Sequence, residues 1–158
     1  MFTPTLIGDL LERGAIAPAV TASSKRQALS VAAEIAARVW RLKAQKVFDA
    51  LMERESHGAT GVGHGVAIPH AHVAGLERIR GVFLRLKPPV DFGAVDEEPV
   101  DLVFALLSPP DCGSDQLRTM ARVARALRSS ELRQQLRRAS NTDSILALLN
   151  RDATPTAA

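Results

Sequence analysis

The spacing of hydrophobic residues along the chain changes between helical and strand periods. Over residues 24–42 apolar positions recur every three or four residues, and Ser24 with Gln27 forms a capping-box pattern at the start. A second amphipathic helix follows and is predicted to end where His57 and Gly58 open a glycine-rich stretch. The first third of the chain is therefore predicted to contain two consecutive helices.

Two apolar runs in the second half of the chain predict strands. Residues 81–87 alternate over their second half, as in a strand with one wet face, and Pro88-Pro89 is expected to end it. Residues 100–107 are almost continuously apolar between Pro99 and Pro109, which favours a central strand buried on both faces. Weaker strand candidates are Ile16–Val20 and Val66–Ile68.

Three helices are predicted after these strands. The first has Ser114 as a plausible N-cap and an apolar stripe of Leu117, Met120, Ala121, Ala124 and Leu127. Ser130 is expected to open the second helix, and Ser140 with Asp143 to cap the third. Helices interleaved with strands favour an α/β sandwich, with a central sheet covered by helices on both faces. Residues 151–158 have little to bury and are expected to form a flexible tail.

Composition narrows the class of protein. A chain of 158 residues that is 46% hydrophobic can fill one globular core, and its net charge is only +3. No apolar run approaches the roughly 20 residues needed to cross a bilayer, and the N-terminus shows no export signal. Cys112 is the single cysteine, so an internal disulfide is excluded. We expect a cytoplasmic protein without membrane insertion.

Positive charge is concentrated towards the C-terminus. Between Arg118 and Arg138 there are seven arginines and one acidic residue, Glu131. This bias is typical of solvated faces on amphipathic helices, with a surface for an acidic partner or for nucleic acid as the alternative. Five phenylalanines, one tryptophan and no tyrosine supply little stacking for bases, so we expect no nucleic-acid partner.

Histidine and glycine are concentrated in one window of the chain. All four histidines and four of the ten glycines lie between residues 57 and 72: His57, His64, His70, His72, Gly58, Gly61, Gly63 and Gly65. Closely spaced glycines can turn backbone N–H groups into an anion-binding nest, for which phosphate is the natural guest. Nucleotide-binding patterns do not fit, because no Lys-Ser or Lys-Thr follows the glycines.

His70 is the candidate nucleophile of this window. It follows Pro69 at the tip of a short apolar stretch, and a neutral imidazole can attack phosphorus to give a labile phosphoramidate. Arg54, at the end of the preceding helix, is the best-placed cation for the transferred oxygens, although it could instead cap that helix. His70, His72 and His64 could hold zinc, but the window lacks Cys and Asp, so no metal is expected.

Several motifs in and around this window resemble one known family. They are Glu53-Arg54-Glu55, Thr60-Gly61-Val62-Gly63, Gly65-Val66-Ala67-Ile68-Pro69-His70 and the segment from Pro99 to Leu107. Over residues 4–150 the chain resembles the IIA domain of the fructose/mannitol class of the bacterial phosphoenolpyruvate-dependent phosphotransferase system, most closely its nitrogen-regulatory branch. The resemblance implies one domain over residues 1–150, with a mixed central β-sheet flanked by helices on both faces.

The same resemblance implies a function. His70 would accept a phosphoryl group from a histidine phosphocarrier, itself charged by a phosphoenolpyruvate-dependent enzyme I, and Arg54 would line the site without a cofactor or metal. Thr60, Gly61, Gly63, Gly65 and Gln116 would contact the phosphoryl group. The protein would then control target proteins by its phosphorylation state. A sugar-transport IIA component that passes phosphate to a IIB partner is one alternative, and a non-phosphorylated interaction module is another.

Gln116 marks a departure from the family pattern. Many members carry a second active-site histidine where this chain has Gln116, with Asp115 and Arg118 as neighbouring alternatives. A glutamine can form hydrogen bonds but cannot become cationic. We therefore expect phosphorylation to be slower, or its product less stabilised, than in relatives with that histidine.

Overall fold

The fold is built around a sheet whose centre is the most apolar segment of the chain. A computed structural model describes residues 7–152, with side chains up to residue 150. The strands are β1 (Ile16–Val20), β2 (Gly61–Gly63), β3 (Val66–Ala67), β4 (His70–His72), β5 (Arg80–Val90) and β6 (Val100–Ser108). The helices are α1 (Lys25–Trp40), α2 (Ala44–Ser56), α3 (Asp115–Leu127), α4 (Ser130–Arg138) and α5 (Thr142–Asp152), with 3-10 turns at Ile7–Leu10 and Arg13–Ala15.

The sheet is mixed and has helices on both faces, which confirms the predicted sandwich. Its order is β1-β5-β6-β3-β2, and β4 also pairs with β6. β5 runs antiparallel to β6, whereas β3 and β4 run parallel to it. One core lies between the sheet and α1 and α2, and a second core lies between the sheet and α3, α4 and α5. β6 separates the two cores and is buried along almost its whole length.

The prediction that Pro88-Pro89 ends a strand is wrong, because β5 continues to Val90. The pairing of β5 with β6 is interrupted after Arg85 and resumes where Val90 pairs with Val100. The prolines lie in this interruption, where their missing N–H groups cost no ladder hydrogen bond.

The buried face of α3 also differs from the prediction. The residues that it buries are Gln116, Thr119, Val123, Ala126 and Leu127. Leu117 is 66% exposed, so the expected stripe is displaced around the helix. A polar residue can occupy the buried face because the amide nitrogen of Gln116 donates to the carbonyl oxygen of Ala71 and to Oγ of Ser108.

Of the N-caps predicted for α1 and α3, one forms the expected side-chain hydrogen bond and the other does not. Ser24 accepts a hydrogen bond from the backbone N–H of Gln27, which confirms it as the N-cap of α1. Ser114 occupies the N-cap position of α3 but forms no side-chain capping bond there. Its φ of −85° and ψ of 3° lie outside the extended conformation in which an N-cap side chain usually reaches back to the helix.

Several arginines of the basic segment serve the fold. Arg133 is buried and donates to the carbonyl oxygens of Leu127 and Arg128, which satisfies the end of α3. Arg137 forms a two-pronged ion pair with Asp101. The clustering of arginines in sequence therefore partly reflects internal contacts.

The chain ends, as far as the structure describes it, in a helix. α5 includes residues 151 and 152, the first two of the expected tail, and residues 153–158 lie outside the described residues. Within residues 7–152, no helix combines the length and apolar character needed to cross a membrane.

Candidate functional site

His70 lies in an open pocket formed by three elements that are distant in sequence. The pocket has a volume of about 640 Å³ and lies between the C-terminal half of α2, strand β4 and the first turn of α3. Its lining residues are Asp49, Ala50, Glu53, Arg54, His57, His70, Ala71, His72 and Gln116. The structure therefore brings His70, Arg54 and Gln116 together in one place.

The imidazole of His70 is held in one tautomer. Its Nδ1 lies 3.0 Å from the carbonyl oxygen of Ile68, and because that oxygen can only accept, Nδ1 carries the proton. Nε2 therefore has the free lone pair and accepts a hydrogen bond of 3.0 Å from Nε of Arg54. Burial lowers the pKa of His70 below its ordinary value of 6.5, the hydrogen bond to Ile68 opposes this, and the charge of Arg54 lowers the pKa further. The ring is thus kept neutral and nucleophilic near pH 7.

Arg54 connects the nucleophile to the loop that follows α2. Besides its bond to His70, its Nη1 donates to the carbonyl oxygen of Gly58 at 2.9 Å. His57 rather than Arg54 occupies the C-cap position of α2. Arg54 thus faces the imidazole with a fixed positive charge, which can stabilise negative charge that develops beside the ring.

The buried carboxylate of Glu55, for which no role was predicted from the sequence, stabilises the loop after α2. Glu55 accepts hydrogen bonds from the backbone N–H of Thr60 at 3.0 Å and from its hydroxyl at 2.7 Å. It also pairs with Nζ of Lys25 at 3.1 Å, and Lys25 donates in addition to the carbonyl oxygen of Phe92. Glu55 lies within a quoted motif, but only the fold reveals that it meets Lys25 across 30 positions of sequence.

Thr60 and Gly61 lie outside the pocket. The hydroxyl of Thr60 is buried against Glu55 and so does not face a phosphoryl group at His70. Gly61 is needed for close packing, because a Cβ there would lie 2.8 Å from Cβ of Ala94. Both residues act on the site indirectly, by holding the loop after α2.

The predicted glycine nest is not formed at His70. Gly63 and Gly65 flank the tight turn between β2 and β3, with φ values of 100° and 79°. The turn is occupied by carboxylates: the backbone N–H of His64 donates to Oδ2 of Asp96, and Asp101 lies beside Gly65. Along an extended chain, the five residues from Gly65 to His70 span about 16 Å. These glycines therefore shape a hairpin at the opposite end of β3.

The environment of Gln116 explains its burial. It lines the pocket, whereas Asp115 and Arg118 form an ion pair with each other at the surface. Its amide nitrogen lies 3.3 Å from the carbonyl oxygen of Ala71 and 2.9 Å from Oγ of Ser108. Gln116 thus ties α3 to strands β4 and β6.

The remaining histidines are distributed between the pocket and the hairpin. Nδ1 of His57 donates to the carbonyl oxygen of Glu53 at 2.8 Å, and His72 is exposed beside His70. His64 lies on the hairpin, away from both. Among residues 7–150, no group of three or more His, Cys, Asp or Glu side chains is arranged to hold a metal ion.

Comparison with known proteins gives consistent matches over almost the whole chain. Residues 9–152 match the family model described as phosphoenolpyruvate-dependent sugar phosphotransferase system, EIIA 2. A nitrogen regulatory protein of Bradyrhizobium diazoefficiens is 44% identical over 90% of this chain and 94% of its own length. A nitrogen regulatory protein of Escherichia coli is 36% identical over 93% of this chain and 91% of its own. The crystal structure of the nitrogen regulatory protein IIA-Ntr from Neisseria meningitidis superposes with a TM-score of 0.85 at 34% identity, covering 90% of this chain and 98% of that one.

Replacing Gly65 by alanine should affect folding more than chemistry. The new Cβ would be strained by the positive φ and would crowd the side chains of Asp101 and Arg137. We expect the substitution to lower the free energy of unfolding by about 1–3 kcal/mol, measured by urea denaturation. Gly113→Ala is the matched control, because Gly113 also has a positive φ but open space around it. If Gly65→Ala instead stays as stable as the wild type but reacts more slowly with a phosphoryl donor, Gly65 belongs to the phosphoryl site and the prediction is wrong.

Replacing Arg54 by alanine should raise the pKa of His70. The substitution removes a positive charge that disfavours the imidazolium, so protonation becomes easier. Titration of the ring protons by NMR should place the midpoint higher than in the wild type, and Arg54→Lys should lie between the two. As the pH is lowered, a reaction that requires the neutral ring would then begin to slow at a higher pH in Arg54→Ala than in the wild type. An unchanged midpoint would contradict the contact between these side chains.

Proposed function

The chain belongs to the EIIA 2 family of the phosphoenolpyruvate-dependent sugar phosphotransferase system, and from this premise we propose that it is a regulatory protein phosphorylated on His70. The donor is a histidine phosphocarrier, which a phosphoenolpyruvate-dependent enzyme I charges in the cytoplasm. Residues 1–150 form the single domain that carries this activity. The phosphorylation state of His70 then determines which target proteins are bound.

The observation that carries the proposal is the fixed orientation of the His70 ring. The hydrogen bond from Nδ1 to Ile68 leaves Nε2 as the attacking atom, and Nε2 lies in an open pocket beside Arg54. In the transfer, the lone pair of Nε2 forms a bond to phosphorus while the donor's phosphorus–nitrogen bond breaks and returns its electron pair to the donor ring. Arg54 then redirects its N–H groups from the consumed lone pair to the phosphoryl oxygens.

Phosphorylation would change the surface that a target protein meets. A phosphoryl group adds a charge of about −1.5 to −2 and three strong acceptor oxygens. The pocket is open, and next to it Leu117 is 66% exposed at the start of α3. An apolar contact beside a site of variable charge allows a partner to bind one state and reject the other.

A regulatory role is favoured over sugar transport by the relatives named above. Those proteins are called nitrogen regulatory proteins, and they match this chain over nine tenths of its length. A transport component would instead hand its phosphoryl group to a IIB partner. The two roles share the first reaction and differ in the second.

Incubation with enzyme I, phosphoenolpyruvate and a histidine phosphocarrier should add one phosphate to the protein. Intact mass spectrometry should detect a single addition in the wild type and none in His70→Ala, since only His70 combines a free lone pair with Arg54. The adduct should be labile in acid and stable in base, as expected for a phosphoramidate.

Two results would change the assignment. A phosphate on His70→Ala would move the acceptor to another histidine, and the absence of any phosphate on the wild type would favour the interaction module. Rapid transfer from the phosphorylated protein to a fructose or mannitol IIB domain would favour the transport role.

A further inference from the structure

The pocket offers few hydrogen-bond donors to a phosphoryl group on His70. Arg54 has Nη2 without a partner among the described residues, and it gains Nε when the lone pair of His70 is consumed. Asp49 and Glu53 line the same pocket and would repel phosphoryl oxygens. An additional donor in the pocket would therefore stabilise a dianionic group there.

Gln116 cannot supply that donor. Its amide nitrogen carries two hydrogens, which are directed to the carbonyl oxygen of Ala71 and to Oγ of Ser108. Because the carbonyl oxygen of Ala71 can only accept, the amide cannot be reversed. Gln116 is also 7% exposed, and its remaining polar atom is a carbonyl oxygen, an acceptor like the phosphoryl oxygens themselves.

His72 has the required position. It lies two residues after His70 on β4, where alternate side chains share one face, and both rings line the pocket. Parallel pairing with β6 fixes His70 opposite Leu106 and His72 opposite Ser108, so their Cα atoms are about 7 Å apart. A phosphoryl group on Nε2 of His70 would lie in the pocket that both histidines line.

His72 is also available. Its side chain is exposed and has no hydrogen-bond partner within the part of the chain that the structure describes. By contrast, the ring of His57 is bonded through Nδ1 to the carbonyl oxygen of Glu53.

We propose that His72 is a catalytic residue of the phosphoryl transfer, and that its ring N–H donates to the oxygens of the group on His70. This inference rests on the proposed function, and it assigns to β4 the contact that Gln116 on α3 cannot make. The step needs no further reactant: Nε2 of His70 bonds to phosphorus, the donor ring recovers the electron pair of the broken bond, and the proton on Nδ1 stays in place.

The test compares His72→Ala and His72→Lys with the wild type. At saturating phosphocarrier the maximal rate should fall at least tenfold in His72→Ala, in line with the loss of one oxyanion donor. Lysine should restore most of that rate, because an ammonium also donates to phosphoryl oxygens. The KM for the carrier should stay within about twofold, since the interaction forms with the transferring group. His64→Asn, on the remote hairpin, should react like the wild type.

A second donor separates catalysis from docking. Phosphoramidate is a small molecule that transfers its phosphoryl group with ammonia as the leaving group, so no protein surface is involved. His72→Ala should be slowed with this donor as well. An unchanged maximal rate, a change confined to the KM for the carrier, or a failure of lysine to restore the rate would each overturn the assignment. If the wild type itself accepts no phosphate from either donor, the proposed function fails, and this role of His72 fails with it.

Discussion

Backbone pairing along β6 is the constraint on which the site depends, because β3 and β4 both pair in parallel with this one buried strand. Val66 lies opposite Leu102 and His70 opposite Leu106, and the carbonyl oxygen of Pro69 accepts from the backbone N–H of Leu106 between them. β6 contributes side chains to both cores and cannot shift without disturbing each. The position of His70 relative to α2 and α3 is therefore set by a strand that is buried along almost its whole length.

Arg54 is positioned by a different device, a buried ion pair between elements that are far apart in sequence. Glu55 pairs with Lys25 at the start of α1 and accepts hydrogen bonds from the backbone N–H and the hydroxyl of Thr60. The neighbouring Arg54 donates to the carbonyl oxygen of Gly58. Removing the carboxylate would leave these donors without their acceptor in a largely buried space, which typically costs several kcal/mol. The loop after α2 is thereby held in the shape that presents Arg54 to the imidazole.

The site combines a neutral nucleophile with a fixed cation, which is the arrangement that the proposed phosphorylation of His70 requires. Burial and the charge of Arg54 lower the pKa of His70, which favours the uncharged ring. Gln116 is neutral in both states and serves the packing of α3. Under the proposed function, the charge of the pocket would change mainly through phosphorylation of His70, beside the exposed apolar residue Leu117.

The amino-acid sequence alone predicts the sandwich and the central strand, because hydrophobic period is a local signal. The sequence also points to His70 through the local Pro69-His70 pattern. It misplaced Gly63 and Gly65, since spacing cannot distinguish an anion nest from a hairpin turn filled by Asp96 and Asp101. Two pairings are visible only in the fold: the amide nitrogen of Gln116 donates to Ala71 and Ser108, and Glu55 forms an ion pair with Lys25. Such pairings depend on the register of strands and the rotation of helices, which arise when distant segments pack and leave no periodic signal in the chain.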